Sequence, residues 1–381
     1  MHRNATLPAA SAALALILTA TPAAASEIGD LAASMAPGTW AELVTLDLNG
    51  GILEDVGGHH ILQYADDARW DPVGGRVLFL GQGHSSNWDD DPTTTARFIA
   101  YGAAANSWTA LPALIPSENV GHGYDHSAID VELGEFFHRP FGSRTVYRYH
   151  LASGLWDALP QIPQPSNQVA GGLEYFPEAG GLVFVDGDWG VWFWHRGTDR
   201  WQLLANTNGT LDSTLPSLPM GPYHNFAEHS PVHRVVAFGG GNGSNQIYRL
   251  NADLSITVQS PAPIDLGIAW GSVFTLDPVG GNFLAFAADE SVWEHDPSAA
   301  GGSWIAVVGP RPPFFDIGPD DPAIFGCVAT PVSTHGVTLF VKYDGFDSKV
   351  FLYKHRAAAE VELFADGFES GGTSAWSTVV P

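Results

Sequence analysis

Histidine, tyrosine, tryptophan and amide side chains recur in this chain where short apolar runs stop. The groups are Gly58-His59-His60, His84-Ser85-Ser86-Asn87-Trp88, His122, Asp188-Trp189, Tyr223-His224 and Asn242-Gly243-Ser244-Asn245. Imidazoles titrate near neutral pH and can act as bases or metal ligands. Phenol and indole rings offer apolar platforms with one polar tip, which suits a sugar ring or a peptide. No nucleophile elbow, phosphate loop, metalloprotease helix or EF-hand loop accompanies them. Any chemistry must therefore come from a constellation that the fold assembles.

The elements that would assemble it are short strands. From Gly123 to Pro160 the runs AIDV, EFFHRPF, TVYRYHL and LWDAL are separated by Gly134, Gly142-Ser143 and Ser153-Gly154, the punctuation of a four-stranded meander. The unit recurs. Its last strand carries a tryptophan before an apolar stretch, at Trp108, Trp156, Trp201 and Trp304. Its second strand recurs as GRVLFLGQG, GLVFVDGDWG, HRVVAFGGGNG and GNFLAFAAD. A period of roughly 40–50 residues with glycine after the second strand is the pattern of a propeller blade. The blocks resemble kelch repeats, most closely in VVAFGGG and NSWTALP, over about residues 39–355. That resemblance implies an all-β propeller of four-stranded antiparallel blades and is nearly silent about activity.

Counting blades raises a problem at the ends. PGTWAELVT (Pro37–Thr45) reads as a fourth strand with no first three, whereas AIFGCVAT, VTLFVKYDG and SKVFLYKH are three strands lacking a fourth. If Trp40's strand completes the last blade, the ring closes at six blades and no sheet edge is left open. First strands are then expected near Ile61, Tyr124, Gln168, Tyr223, Ala269 and Ala323.

An antiparallel meander puts the start of strand one and the end of strand two at the same end, so the polar groups above share one mouth. Aligning first strands on Pro72, Leu133, Pro177, Pro231, Pro278 and Pro331 places Ala65, His126, Ala170, His224, Gly271 and Ile324 seven residues earlier. Tyr64, Asp125, Val169, Tyr223, Trp270 and Ala323 fall one residue before those. His126 and His224 are thus expected to flank a gap at Ala170-Gly171-Gly172. The candidate catalytic residues are His126, His224 and Tyr223. The candidate ligand-binding residues are Tyr64, His84, Trp88, His122, Asp125, Arg144, Trp189 and Trp270. The competing reading makes the two histidines inner-strand polar groups satisfied by axial water.

Three functions fit such a mouth. The first is a binding module for a glycan or other small or polymeric ligand. The second follows a resemblance to propeller-type polysaccharide lyases: His126 or His224 would be the base, Tyr223 the acid, and Arg139 or Arg144 the group neutralising a uronate. The third follows from galactose oxidase, a kelch propeller whose copper site needs a tyrosine crosslinked to cysteine, a second tyrosine and two histidines. Tyr223-His224 resembles its adjacent ligand pair, but the sole cysteine, Cys327, falls mid-strand among apolar neighbours.

Composition sets the outer limits. The 381 residues are 45% hydrophobic and 15% charged, enough for a large core, and 43 Gly with 27 Pro suit many turns. With 16 Lys+Arg against 41 Asp+Glu the formal charge is -25, which disfavours nucleic acid as a partner. Residues 1–25 read as a signal peptide, with Arg3, the apolar SAALALILTA and Ala23-Ala24-Ala25, so an exported monomer without a transmembrane span is expected. One cysteine permits no internal disulfide. Asp89-Asp90-Asp91 would be the place for a structural divalent cation, although a solvated loop explains it as well. The acidic, Gly/Ser-rich ELFADGFESGGTSAWSTVVP after the ring reads as a surface or secretion signal, or simply as a loose tail.

Overall fold

The computed structural model describes residues 26–48, 51–53, 60–83, 96–112, 115–116, 120–166, 170–268, 271–298, 301–317, 324–343 and 348–357. The expected signal peptide and C-terminal tail, His59, His84, Trp88, Asp89-Asp90-Asp91 and Trp270 lie outside these residues. Over the described residues the strands form six four-stranded antiparallel sheets, five built from consecutive hairpins and the sixth completed by a strand from the start of the chain. This is the six-bladed propeller that the repeat implies. The inner strands are Arg69–Asp71, Ser127–Asp130, Gly172–Phe176, Asn225–Ser230, Ser272–Leu276 and Cys327–Val332.

Ring closure follows the expected scheme. The strand Thr39–Leu43 pairs antiparallel with Lys349–Lys354 in five register positions, Thr39 opposite Lys354 and Leu43 opposite Val350. Trp40 stacks on Tyr353 at 4.5 Å and meets Phe286, Phe314 and Phe340 at 5.1–5.8 Å. A helix not anticipated from the sequence, Glu27–Ser34, precedes it. Ser26 caps the helix by accepting from the Gly29 N–H at 3.2 Å, as N-cap serines do. Ile28 and Ala32 on its inner face join Val332, Val337 and Leu339 of blade six in one core cluster.

Between neighbouring blades the sheets pack face to face through apolar residues. Phe176, Val183 and Phe193 of blade three, for example, meet Ala227, Val236 and Phe238 of blade four. The repeat tryptophans sit at the outer rim of these layers. Trp108 is buried, whereas Trp156, Trp201 and Trp304 are only half-buried. Three of them donate their indole N–H to the preceding blade: Trp201 to the Pro160 carbonyl at 2.7 Å, Trp304 to that of Ser260 at 3.0 Å, and Trp108 to Thr45 Oγ1 at 3.1 Å. The repeated residue is thus an inter-blade latch. This explains why tryptophan, rather than phenylalanine, recurs. Trp201→Phe keeps most of the ring and loses the bond, and should cost about 1 kcal/mol in urea unfolding, the net worth of one hydrogen bond. A change indistinguishable from zero would leave the indole nitrogen without a role. Among the described residues no helix is long and apolar enough to cross a membrane.

Candidate functional site

The observed strand register changes which mouth residues correspond. Asp71 pairs with Arg76, Asp130 with Glu135, Ser230 with Val235 and Val332 with Val337. The first turn residues are therefore Pro72, Val131, Pro177, Pro231, Pro278 and Ser333. Leu133 and Pro331 are each displaced by two from the matched position. Pro331 lies inside the inner strand opposite Thr338; this is the edge strand of its sheet, where proline is tolerated. Counting back from the correct turns makes Tyr124, not His126, the counterpart of Ala65 and His224. A bridge between Ala65 and Tyr124 agrees.

His126 and His224 therefore do not form an equivalent pair. His126 is fully buried, and its Nε2 accepts from the Gly171 N–H at 3.1 Å. The expected gap beside it is closed by backbone: a Cβ on Gly171 would collide with the Val185 carbonyl, and one on Gly172 with the Phe226–Ala227 backbone. Those glycines serve close chain approach, not a pocket.

What the mouth does assemble is a collar of rings. Tyr64 lies 4.5 Å from His122, 5.9 Å from His224 and 5.0 Å from Phe325. Tyr124 lies 5.4 Å from His122, 4.9 Å from His126, 5.5 Å from Phe141 and 5.8 Å from His224. Phe141 and Phe325 were not anticipated from the sequence. The sequence alignment put Ala323 and Ile324 at blade six's positions, so only the corrected register finds Phe325, while Phe141 follows the second strand of blade two, Glu135–His138. Tyr64, Tyr124, Tyr223 and His224 all have left-handed backbone, with φ of 53°, 46°, 54° and 58°. For non-glycine residues this costs on the order of 1–2 kcal/mol each. All four stand where the chain turns into an inner strand, so the strain is spent on aiming their side chains at the mouth.

His224 Nδ1 lies 2.8 Å from Asn242 Oδ1. An amide oxygen only accepts, so Nδ1 carries the proton and Nε2 keeps its lone pair. Burial lowers the His224 pKa, opposed by the Asn242 bond, so the ring is neutral at pH 7. Burial, then the Tyr64 and Tyr223 hydroxyls, hold the Tyr124 phenol above its ordinary value. Tyr223 itself is 42% exposed. His122 directs Nδ1 at the Gln82 carbonyl, 3.2 Å away, so Nδ1 donates there.

The remaining candidates are placed elsewhere. Trp189 packs against Gly209 in the loop after its strand. Arg144 donates to the Gln164 carbonyl at 3.1 Å and to Gln161 Oε1 at 3.4 Å. Arg139, the other expected neutraliser, is fully buried with its guanidinium 4.7 Å above the Phe184 ring, and burial lowers its pKa to about 10. It cannot reach a ligand at the mouth. Cys327 is fully buried with Val273, Phe286 and Phe340, and burial pushes its thiol up to about 12. A tyrosine–cysteine crosslink between it and exposed Tyr223 is ruled out by that placement.

Asp125 belongs to the axis rather than the mouth. Arg69, buried in the inner strand of blade one, pairs with Glu174 at 2.7 Å, with Asp125 at 3.3 Å, with Glu228 at 3.4 Å and with Asp67. It also donates to the carbonyls of Ser127 at 2.9 Å and Leu173 at 3.3 Å. One guanidinium thus ties blades one to four together. Sequence reasoning missed this centre, because its members lie dozens of residues apart and form no local motif. Its carboxylates outnumber its cation. Burial raises the pKa of Asp66, Asp125 and Glu228, and that of Asp67 to about 6 despite Arg69.

The sign of the pH effect follows. Asp67 binds protons more tightly folded, at about 6, than at its ordinary 3.8, so the folded state gains at low pH and loses as pH rises through about 6. Asp186, raised by burial to about 6, acts in the same direction. Glu294 is lowered to about 2, because His355, Asn282 and Arg356 outweigh its burial; it loses stability only below that window. Burial lowers His138 to about 3 and His295 to about 4, and these act in the opposite direction, so the Asp67 share is read by difference. Asp67→Asn should gain on the parent protein between pH 5 and pH 8 by about 1 kcal/mol. A stability difference between Asp67→Asn and the parent that does not change from pH 5 to pH 8 would contradict the assignment.

Sheets and collar together define the class: a six-bladed β-propeller with an aromatic, histidine-bearing mouth. No protein-family model matches the chain, and no curated protein matches it. Among solved structures it is similar to a structural genomics protein of unknown function from Bacteroides thetaiotaomicron, with a TM-score of 0.50 and 13% identity, covering 82% of this chain and 75% of that one. It is also similar to a chain of a nidogen/laminin complex, with a TM-score of 0.44 and 13% identity, over 66% of this chain and 82% of that one. Likeness at such identity concerns the fold alone.

Proposed function

We propose that this chain is an exported kelch-like propeller that binds carbohydrate at the ring collar of Tyr64, His122, Tyr124, Tyr223 and His224. The observation that carries the reading is the left-handed backbone of Tyr64, Tyr124, Tyr223 and His224 at one mouth. Strain concentrated on convergent aromatic side chains is hard to explain by packing alone. Flat rings suit the apolar C–H faces of a sugar, and the neutral His224 imidazole with Asn242 supplies donors and acceptors for its hydroxyls. Export is supported by the pattern of residues 1–25.

The test is a glycan-array screen of the chain from residue 26 onward, repeated with Tyr64→Ala and His224→Gln. Either substitution should weaken binding at least tenfold, about 1.4 kcal/mol. His126→Gln should lower the melting temperature without selectively weakening binding. Binding that survives both collar variants would move the site elsewhere.

A second reading, a lyase on an acidic glycan, draws on one feature: His224, whose Nε2 keeps its lone pair, directly follows the exposed Tyr223 in the chain, so the mouth offers a base and a proton donor. Ultraviolet absorbance of unsaturated products in the same screen decides it. Arg139 is unavailable for the neutralising role and Arg144 is engaged, which places binding ahead of cleavage.

A further inference from the structure

Two carboxylates from neighbouring blades flank the Tyr223–His224 turn of the collar. On one side Gly187 donates its N–H to Asn225 Oδ1 at 3.0 Å, which sets Asp188 beside the turn. On the other, Ile268 donates to the His224 carbonyl at 3.2 Å. Asp265, three residues before it, accepts from the Gly243 N–H at 3.2 Å, next to the Asn242 that holds His224. Asp188 is half-buried and Asp265 exposed. Asp265 bonds the Gly243 and Gly267 N–H groups, and the Asp188 carboxylate bonds nothing, so neither meets a cation among the described residues.

The basic groups on this side are committed elsewhere. Arg139 lies buried over Phe184, and Arg144 and Arg97 donate to the Gln164 and Ala96 carbonyls. Arg311 is held between Glu290 and Asp316, and Lys349 faces Glu42 at 3.4 Å. Lys342 is fully buried, its ammonium on the Phe325 carbonyl. Between residues 49 and 347 the stretches outside the described residues contain no lysine or arginine.

The collar itself presents an acceptor. His224 is 8% exposed and its Nδ1 is engaged by Asn242, while its Nε2 reaches solvent and has no hydrogen-bond partner among the described residues. A lone pair on a nine-tenths-buried ring calls for a donor from a ligand. The rings of Tyr64 and Tyr124 lie 5.9 Å and 5.8 Å from it, and tyrosine faces attract ammonium groups. A uronate would meet two carboxylates and be repelled. A neutral sugar would leave both carboxylates unanswered, and a bare divalent ion needs more positioned oxygens than these. A primary ammonium donates three hydrogen bonds from a compact charge.

We infer that the glycan taken by the collar carries protonated amines, as an oligomer of glucosamine does, with its ammonium groups answered by Asp188, Asp265 and the His224 Nε2. This presupposes that the collar is the carbohydrate site, and it selects the class of sugar.

The probe is a glucosamine oligomer, with the N-acetylated oligomer of the same length and an oligogalacturonate as controls. Each is titrated calorimetrically into the chain from residue 26 onward at mildly acid pH. The sugar amines are then charged, whereas burial keeps His224 neutral. The glucosamine oligomer should bind at least tenfold tighter than its N-acetylated counterpart, and the oligogalacturonate should give no heat of binding. Asp188→Asn and Asp265→Asn should each cut that preference about threefold, and the double variant about tenfold. The Asp188 side chain bonds nothing in the free protein, so Asp188→Asn should melt like the parent, which separates lost preference from lost folding. Equal binding of the N-acetylated oligomer, binding of the oligogalacturonate, or a preference that survives the double variant overturns the inference. If the binding seen in any of these cases is still lost in Tyr64→Ala, the collar remains the carbohydrate site and only the class of sugar is wrong. If no glycan binds, or binding survives Tyr64→Ala, the collar reading fails and the inference fails with it.

Discussion

Arg69→Met should unfold the ring at pH 8 and damage it much less at pH 5. The guanidinium faces Asp67, Asp125, Glu174 and Glu228, all at least nine-tenths buried. Removing one partner of a buried ion network leaves charge without compensation and typically costs about 3–5 kcal/mol. That is a large part of the roughly 5–15 kcal/mol that holds a domain together. Methionine fills similar volume, so the loss is electrostatic rather than a cavity effect. In acid the raised pKa values of Asp66, Asp67, Asp125 and Glu228 allow protonation, and the penalty shrinks. Urea unfolding at the two pH values measures the difference. Adding Glu174→Gln and Glu228→Gln to Arg69→Met should restore part of the loss at pH 8, since the variant then buries less unpaired charge. Equal losses at pH 5 and pH 8, with no rescue, would show that Arg69 acts through packing.

Removing residues 26–46 should have an effect of comparable size by another route. It deletes five paired positions of blade six, the Ile28 and Ala32 contacts, and the Trp40 ring among four aromatic partners. It also strips the strand Lys349–Lys354, whose Val350, Phe351, Leu352 and Tyr353 would then form an apolar open edge. Such edges pair with other chains. The expected product is oligomeric or insoluble on size exclusion, with no cooperative melt near that of the intact chain. Trp40→Ala alone should cost about 3–5 kcal/mol, as large-to-small core changes do. A monomeric truncation that melts like the parent would mean that the closing strand contributes little.

The architecture was legible because it repeats. Glycine after second strands, tryptophan in fourth strands and the unmatched Trp40 strand give six blades and the closure. The site was legible only in part. Tyr64, His122, Tyr223 and His224 do gather at one mouth, as topology requires. The pairing of His126 with His224 failed because blade two has no proline at its turn and blade six has one inside its strand. A shift of two keeps side chains on the same face, so hydrophobic alternation gave no warning. Arg69 was invisible for a different reason. A buried charge centre whose members come from four blades has no local pattern, and it emerges only when the position three before each turn is compared across all six.

The closing strand also has a consequence in time. Thr39 waits for Lys354, so its partner emerges roughly 300 residues later, on the order of 15–60 s at ordinary synthesis rates. During that interval each completed blade can form its own hairpins, but the ring cannot lock, and Thr39–Leu43 remains an unpaired template. Non-local pairing of this kind makes the last step slow. It also makes that step the point at which a chaperone, or passage through a membrane pore as an unfolded chain, would act on this protein most strongly.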